Sequence, residues 1–306
     1  MFHNFDEMLS YVKQNCKGIA IIAGAQIESA LEAAIMAKKG NLCNSILVGD
    51  QAEINRLLQE IAPELMDSFE IIDTGSNLIK AAETAVALAR EGRGDLILKG
   101  KMESSVILKA ALDKDKGLKV SDVISDVFVY EHPEGLKIQT DGGINILPEL
   151  KEKIAMVKNA VQVAHSLGNP NPNVAMVCAI ETVNPKMPAT IDAALIAKMN
   201  ERGQITGCKI EGPLAFDNAV DKEAARIKGI TSEVAGAADI LIFPNIETGN
   251  VHGKMLTYYC HYRIAHVTIG TKVPILIPSR ADSGETKMLC MALALATMAK
   301  SKKPSK

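Results

Sequence analysis

Strand-length runs of apolar residues alternate with helical patterns along most of the chain. "SILVGD" (45–50) precedes the helical "QAEINRLLQEIA", and "FEIIDT" (69–74) precedes "SNLIKAAETAVALAREG". Ser76 is the expected N-cap of that second helix and Gly92 its end. "DLILKG" (95–100) leads into "SSVILKAAL". These runs are continuously apolar instead of alternating, so both faces of each strand are expected to be covered. Strand–helix repetition of this kind predicts a parallel sheet with helices on each side.

Two less regular strands follow, "DVISDVFVY" and "GLKIQTDGG", with no helix between them. The pattern then restarts. A helix over 148–167, "PELKEKIAMVKNAVQVAHSL", ends at Gly168, and "NPNPN" is the clearest linker-like break. "VAMVCAI", "CKIEGPL" and "ADILIFPN" are three further buried strands separated by helices. The interruption near Asp141–Ile146 and the restart predict an α/β protein of two domains. A ligand is then expected at the carboxyl ends of strands or in a cleft between the domains.

Composition narrows the function classes. The 306 residues are 47% apolar and carry a net charge of −2, which gives no electrostatic reason to expect nucleic acid or an anionic membrane as partner. Aromatic residues make up 4% and tryptophan is absent, so stacking platforms for single strands are not expected. The N-terminal "MFHNFDEMLSYVKQN" has neither a signal layout nor transit character. The apolar stretch around Met288–Ala299 is too short and too helix-periodic to span a bilayer. Six scattered cysteines without a C-x-x-C pair read as reduced core residues. The expectation is a cytoplasmic globular protein whose basic tail "KSKKPSK" is frayed.

Three loops place polar or glycine residues between a buried strand and a helix. In "LKGKMESS" (98–105), Gly100 allows a tight turn, Lys101 offers a cation, and Ser104 and Ser105 can cap the next helix. An ordinary βα turn would look the same. In "FPNIETGNVHGK" (243–254), Thr248, Gly249 and Asn250 stand at a helix start, where backbone N–H groups and the dipole attract anions. His252 reads as a helix-surface residue, since no second His or Cys stands at metal-ligand spacing.

The third loop lies in "VPILIPSRADSGETKMLC" (273–290), where Ser283 is a good N-cap followed by Glu285. Capping does not account for Ser279 and Arg280, which precede it at the strand's carboxyl end. An arginine there can grip a phosphate through two parallel hydrogen bonds, and a serine hydroxyl can serve a reacting oxygen or thiol. The residues point to an anion site and name no reaction. The G-x-G-x-x-G, Walker A and G-x-S-x-G patterns are absent, as is any carboxylate cluster with metal spacing.

"ADILIFPNIETGNVHGK" followed by "VPILIPSRADSGETK" resembles the C-terminal signature of the phosphate acetyl/butyryltransferases. "TDGGINILPELKEKIAMVKNAV" is similar to the butyryl branch, where the acetyl branch tends to carry D-x-A-V-N-P, and "EGPLAFDNAV" resembles another recurrent family segment. The likeness runs from about Gly40 to Thr297. It implies two three-layer α/β domains with a cleft between them, an architecture like that of isocitrate/isopropylmalate dehydrogenases. Residues 1–143 with 268–306 would form one domain and 144–267 the other.

The implied reaction is reversible transfer of a short acyl group, butyryl or acetyl, between coenzyme A and inorganic phosphate to give an acyl phosphate. Acyl-CoA and phosphate are the implied partners, with coenzyme A as substrate and no permanently bound cofactor or metal. A homodimer or higher homo-oligomer is also expected. By resemblance Ser279 stabilises the tetrahedral transition state and Arg280 binds the phosphoryl group. Gly100, Lys101, Ser104, Lys109, Thr248, Gly249 and Asn250 are the expected substrate-binding residues.

The acetyl branch assigns an aspartate as base for the thiol, and Thr286 stands at that position here. Asp282 or Glu285 would supply the carboxylate. Lys109 stands where the acetyl branch commonly has arginine, and a lysine lacks the bidentate fork. Two other readings remain beside the transferase. A dehydrogenase of similar fold would need a nicotinamide site. A non-catalytic acyl-CoA-binding module would be expected to lose the Ser279–Arg280 pair.

Overall fold

The computed structural model describes residues 1–301, so the tail expected to fray lies, for residues 302–306, outside the described residues. The chain divides into two compact units, residues 1–4 with 123–263 and residues 5–122 with 264–306. The change at 122/123 lies N-terminal to the expected boundary at 143/144, because the hairpin at 125–140 pairs into the sheet of the 123–263 unit; the second change falls at 263/264, where 267/268 was expected. The strands are β1 (Ile19–Ala23), β2 (Asn44–Gly49), β3 (Glu70–Asp73), β4 (Leu96–Lys99), β5 (Ser125–His132) and β6 (Gly135–Thr140). After them come β7 (Asn173–Val177), β8 (Lys209–Leu214), β9 (Ile240–Ile242), β10 (Ile264–Ile269) and β11 (Ile275–Leu276).

In the unit formed by 5–122 and 264–306, a parallel sheet runs in the order β11-β4-β1-β2-β3. Leu96 to Leu98 and Ile275 to Leu276 are fully buried, as continuous apolar runs predict for strands covered on both faces. Ile97 lies beside Ile275 and Leu98 beside Leu276, so the carboxyl ends of β4 and β11 are neighbours. The apolar run at 273–278 yields only a two-residue strand. Pro274 and Pro278 lack an N–H for the ladder. The Thr268 hydroxyl takes up Ile275 instead, accepting its N–H at 2.9 Å and donating to its carbonyl at 2.6 Å.

The helix Gly284–Ser301 is nearly chargeless and buried almost all round, from Met288 to Ala296. It packs on the alanine-rich helix Glu28–Lys39, and a Cβ at Gly284 would fall 2.5 Å from that of Glu32. Ser283 caps it as expected, accepting the Thr286 N–H at 3.1 Å. Two other expected caps move by one residue. Asn77, not Ser76, caps Leu78–Arg90 by accepting the Lys80 N–H. Glu103 occupies the cap of Ser104–Ala111, so Ser104 is its first helical residue.

In the 123–263 unit the strands run in the order β5-β6-β9-β7-β8. β5 and β6 form an antiparallel hairpin and the remaining pairs are parallel. The expected helix at 148–167 is Leu150–Ser166, started by a capping box between Glu149 and Glu152. All six cysteines are free thiols, and five are buried; Cys260 is exposed, against the expectation of a core residue. Among the described residues no helix is long and apolar enough to cross a membrane.

Candidate active site

Because β4 and β11 lie side by side, the loops leaving them meet at one end of the sheet. From β11 come Ser279, Arg280 and Asp282, with Glu285 exposed in the first turn of the following helix. From β4 come Gly100, Lys101 and Ser104. Arg280 donates to Glu103 at 2.8 Å, an exposed ion pair that ties the two loops together. Gly100 is required by close approach: a Cβ there would fall 2.2 Å from the Gly24 carbonyl oxygen. Lys101 is exposed, and its backbone N–H donates to Gly24 O at 2.7 Å. Lys109 is exposed in the last turn of Ser104–Ala111, at the opposite end of that helix from the loop.

The Ser279–Asp282 segment is a closed turn. The buried Asp282 carboxylate accepts the Ser279 N–H through Oδ2 at 2.8 Å, and the Asp282 N–H donates back to Ser279 O at 3.1 Å. Lys287, only 1% exposed, donates to the carbonyls of both residues. Burial pulls its ammonium below the usual lysine value, and the Asp282 charge opposes that shift.

A second buried lysine, Lys99, ends β4 at 3% exposure. Burial, with Lys287 and Arg280 nearby, pulls its ammonium down to about 8. The sequence reading passed over both lysines. The available signal was a single charge in the otherwise apolar "LILK", and another just before the chargeless run Met288–Ala299.

The T-G-N residues belong to the other unit, on the helix Ile246–Tyr258. Asn245 caps this helix, accepting the Thr248 N–H at 3.0 Å and the Thr248 hydroxyl at 2.8 Å. The Ile246 and Gly249 N–H groups donate to Ile146 O and Asn245 O. The first-turn donors expected to face an anion are therefore largely spent within the protein. Gly249 lets the helix approach residue 141, since a Cβ would fall 2.2 Å from Asp141 O. Asn250 donates to Gly142 O at 2.9 Å.

His252 is buried, in contrast to the expected surface position. Its ring packs against Phe216 and Phe243, and Nδ1 donates to Gln139 Oε1, whose amide in turn donates to Gly249 O. Burial lowers its pKa to about 4, so the ring is neutral at physiological pH. With Phe216, Glu247, Thr248, Val251 and Met255 it lines an open, largely apolar pocket of about 370 Å³.

The sequence reading also missed Asp141, which is 1% exposed and shapes the turn meeting Gly249. Its carboxylate accepts the N–H groups of Gly143 at 2.7 Å, Ile144 at 2.9 Å and Asp126 at 3.1 Å. Burial, and then the charge of Asp126, raise it to about 6 despite those donors.

The sign of the resulting stability effect follows from the proton count. From the unfolded value of 3.8 to about 6, the folded state binds a proton that the unfolded chain has released. Stability is therefore lost as pH rises through that window, by about 3 kcal/mol at most. Asp141→Asn cannot ionise. Urea unfolding should show the wild type losing stability relative to the variant between pH 4 and 6. A difference that does not change with pH would refute this.

Residues 67–295 match the profile of the family described as phosphate acetyl/butaryl transferase. The phosphate butyryltransferase of Clostridium acetobutylicum is 46% identical over 296 residues, covering 96% of this chain and 98% of its own. A phosphate acetyltransferase of Rhizobium meliloti is 42% identical over 95% of this chain and 92% of its own. The crystal structure of a branched-chain phosphotransacylase from Enterococcus faecalis superposes with a TM-score of 0.80 at 30% identity, covering 91% of this chain and 98% of that one. On this combined similarity, which extends over nearly the whole sequence, the chain belongs to the phosphate acetyl/butyryl transferase family.

Proposed function

We infer that the chain is a phosphate acyltransferase that moves a short acyl group reversibly between the sulfur of coenzyme A and inorganic phosphate. The observation that carries this reading is the Ser279–Arg280 pair at the end of β11, beside the cation-bearing end of β4, in a chain 46% identical to a phosphate butyryltransferase. Butyryl is the preferred acyl group, on that identity and on the "TDGGIN" stretch; acetyl is the alternative.

In the direction of acyl phosphate formation, a phosphate oxygen attacks the thioester carbonyl. The carbonyl electrons move onto oxygen, the tetrahedral oxyanion collapses, and the carbon–sulfur bond breaks. The departing thiolate takes a proton. Ser279 Oγ is the donor to the oxyanion, and Arg280 holds the phosphoryl group with its fork. Asp282 holds the turn that aims both. Glu285, exposed in the first turn of the following helix, is the carboxylate proposed to exchange the thiol proton. Gly100, Lys101 and Ser104 shape the facing loop. Thr248, Gly249, Asn250 and Lys109 remain proposed substrate-binding residues. The enzyme is further proposed to be a cytoplasmic homo-oligomer.

The test is thiol release from butyryl-CoA and acetyl-CoA. Release should depend on phosphate, need no added metal or nicotinamide, and be faster with butyryl-CoA. Activity abolished by a chelator and restored by magnesium would overturn the mechanism.

A further inference from the structure

We infer that Lys99 is an anion ligand of this centre and pairs with the phosphate dianion, an inference that rests on the acyltransferase reading. A buried ammonium needs its three donors and its charge answered. Lys99 has one hydrogen bond among the described residues, a long one of 3.4 Å to Met102 O. At 3% exposure little of the side chain meets bulk water, so its remaining donors lack a full hydration shell.

The neighbouring charges make the deficit worse. Lys287 and Arg280 are cations and push against it; Asp282 and Glu103 pull the other way. Glu103 is exposed and engaged with Arg280, so it answers Lys99 weakly. One oxygen of Asp282 is committed to the Ser279 N–H. Lys287 is differently placed, because its ammonium is spent on the carbonyls of Ser279 and Asp282. It braces the turn, whereas Lys99 keeps donors and charge for an incoming group.

Of the groups acting on Lys99, the cations Lys287 and Arg280 balance the carboxylates of Asp282 and Glu103, and Glu32 faces Lys287 instead, so the charge of Lys99 itself is left in excess at the joined ends of β4 and β11. An anion answers that excess. The neighbouring Arg280 fork favours a phosphate there over a thiolate. A strand terminus is a rigid mount, so the ammonium is positioned before the ligand arrives. Burial and the two neighbouring cations lower its pKa to about 8, and an anion bound there would favour the charged form.

Lys99→Met keeps the stem and removes the charge. The variant should fold with a Tm at or above that of the wild type without ligand, since a buried charge is gone; if it does not fold, Lys99→Gln serves in the same measurements. With butyryl-CoA saturating, the phosphate KM should rise at least tenfold, while the KM for butyryl-CoA stays within twofold. In the wild type the phosphate KM should rise above pH 8, as Lys99 deprotonates, and this limb should vanish in the variant.

Inorganic phosphate alone should raise the Tm of the wild type and raise that of the variant clearly less. An unchanged phosphate KM, or equal phosphate-induced Tm shifts, would overturn the inference. So would a fall confined to kcat in the thiol-consuming direction, which would assign Lys99 to the thiolate. A wild type with no phosphate-dependent thiol release would refute the acyltransferase reading instead, and the Tm comparison would still decide whether Lys99 binds phosphate.

Discussion

Ser279→Ala is expected to lower kcat by roughly 10²–10³-fold, the usual loss for one donor to a developing oxyanion. The backbone of Ser279 is fixed independently of its hydroxyl, by the N–H bond to Asp282 and by Lys287 on its carbonyl. The alanine variant should therefore keep the turn. Among the described residues the hydroxyl only accepts a long contact from the Ala281 N–H at 3.4 Å, so its proton is available to a reacting oxygen. An interaction made only in the transition state lowers kcat and kcat/KM together. Arg280→Lys supplies the contrast. It keeps the charge and loses the fork, so the phosphate KM should rise with a smaller change in kcat. Steady-state kinetics on both variants decide the matter. If Ser279→Ala keeps kcat within twofold of wild type, the serine merely shapes the turn.

What the sequence made legible follows from the range over which each feature is determined. The apolar strands β2, β4 and β9 were readable because strands covered on both faces need unbroken apolar runs. The Ser283 cap was readable because capping is local. Caps were misplaced by one residue at Ser76 and Ser104, where several capping residues stand together and tertiary packing selects the helix start.

Features created by contacts distant in sequence were not legible. His252 is buried because Gln139, far back in the chain, and two phenylalanines enclose it. Lys99 and Lys287 gain significance only when β11 joins β4 and brings residues 99, 280 and 287 together. The Ser279–Arg280 pair was visible as an anomaly against capping. Its tie to Glu103 was not, because no local pattern encodes an ion pair across 177 residues.

The choice between Asp282 and Glu285 as base for the coenzyme A thiol turns on the same geometry. Along the sequence Asp282 stands nearer to Ser279 than Glu285 does. In the folded chain Asp282 is 7% exposed, one carboxylate oxygen holds the Ser279 N–H, and Lys287 donates to its backbone carbonyl. A carboxylate so engaged holds the turn and is poorly placed to exchange protons with a substrate. Asp282→Asn weakens the anchor of Ser279 and removes a negative charge from among three cations. A small displacement of the hydroxyl and guanidinium is then expected, and misplacement of reacting groups by about 1 Å costs on the order of 10²-fold. That loss should be uniform across the pH–rate profile measured from acyl phosphate plus coenzyme A. A missing base behaves differently, because activity returns at high pH, where the thiolate forms unaided. Glu285→Gln is therefore expected to lose activity near neutrality and recover as pH rises. The reverse pattern, with recovery in Asp282→Asn and a uniform change in Glu285→Gln, would make Asp282 the base. Wild-type profiles in both variants would remove both carboxylates from the proton transfer.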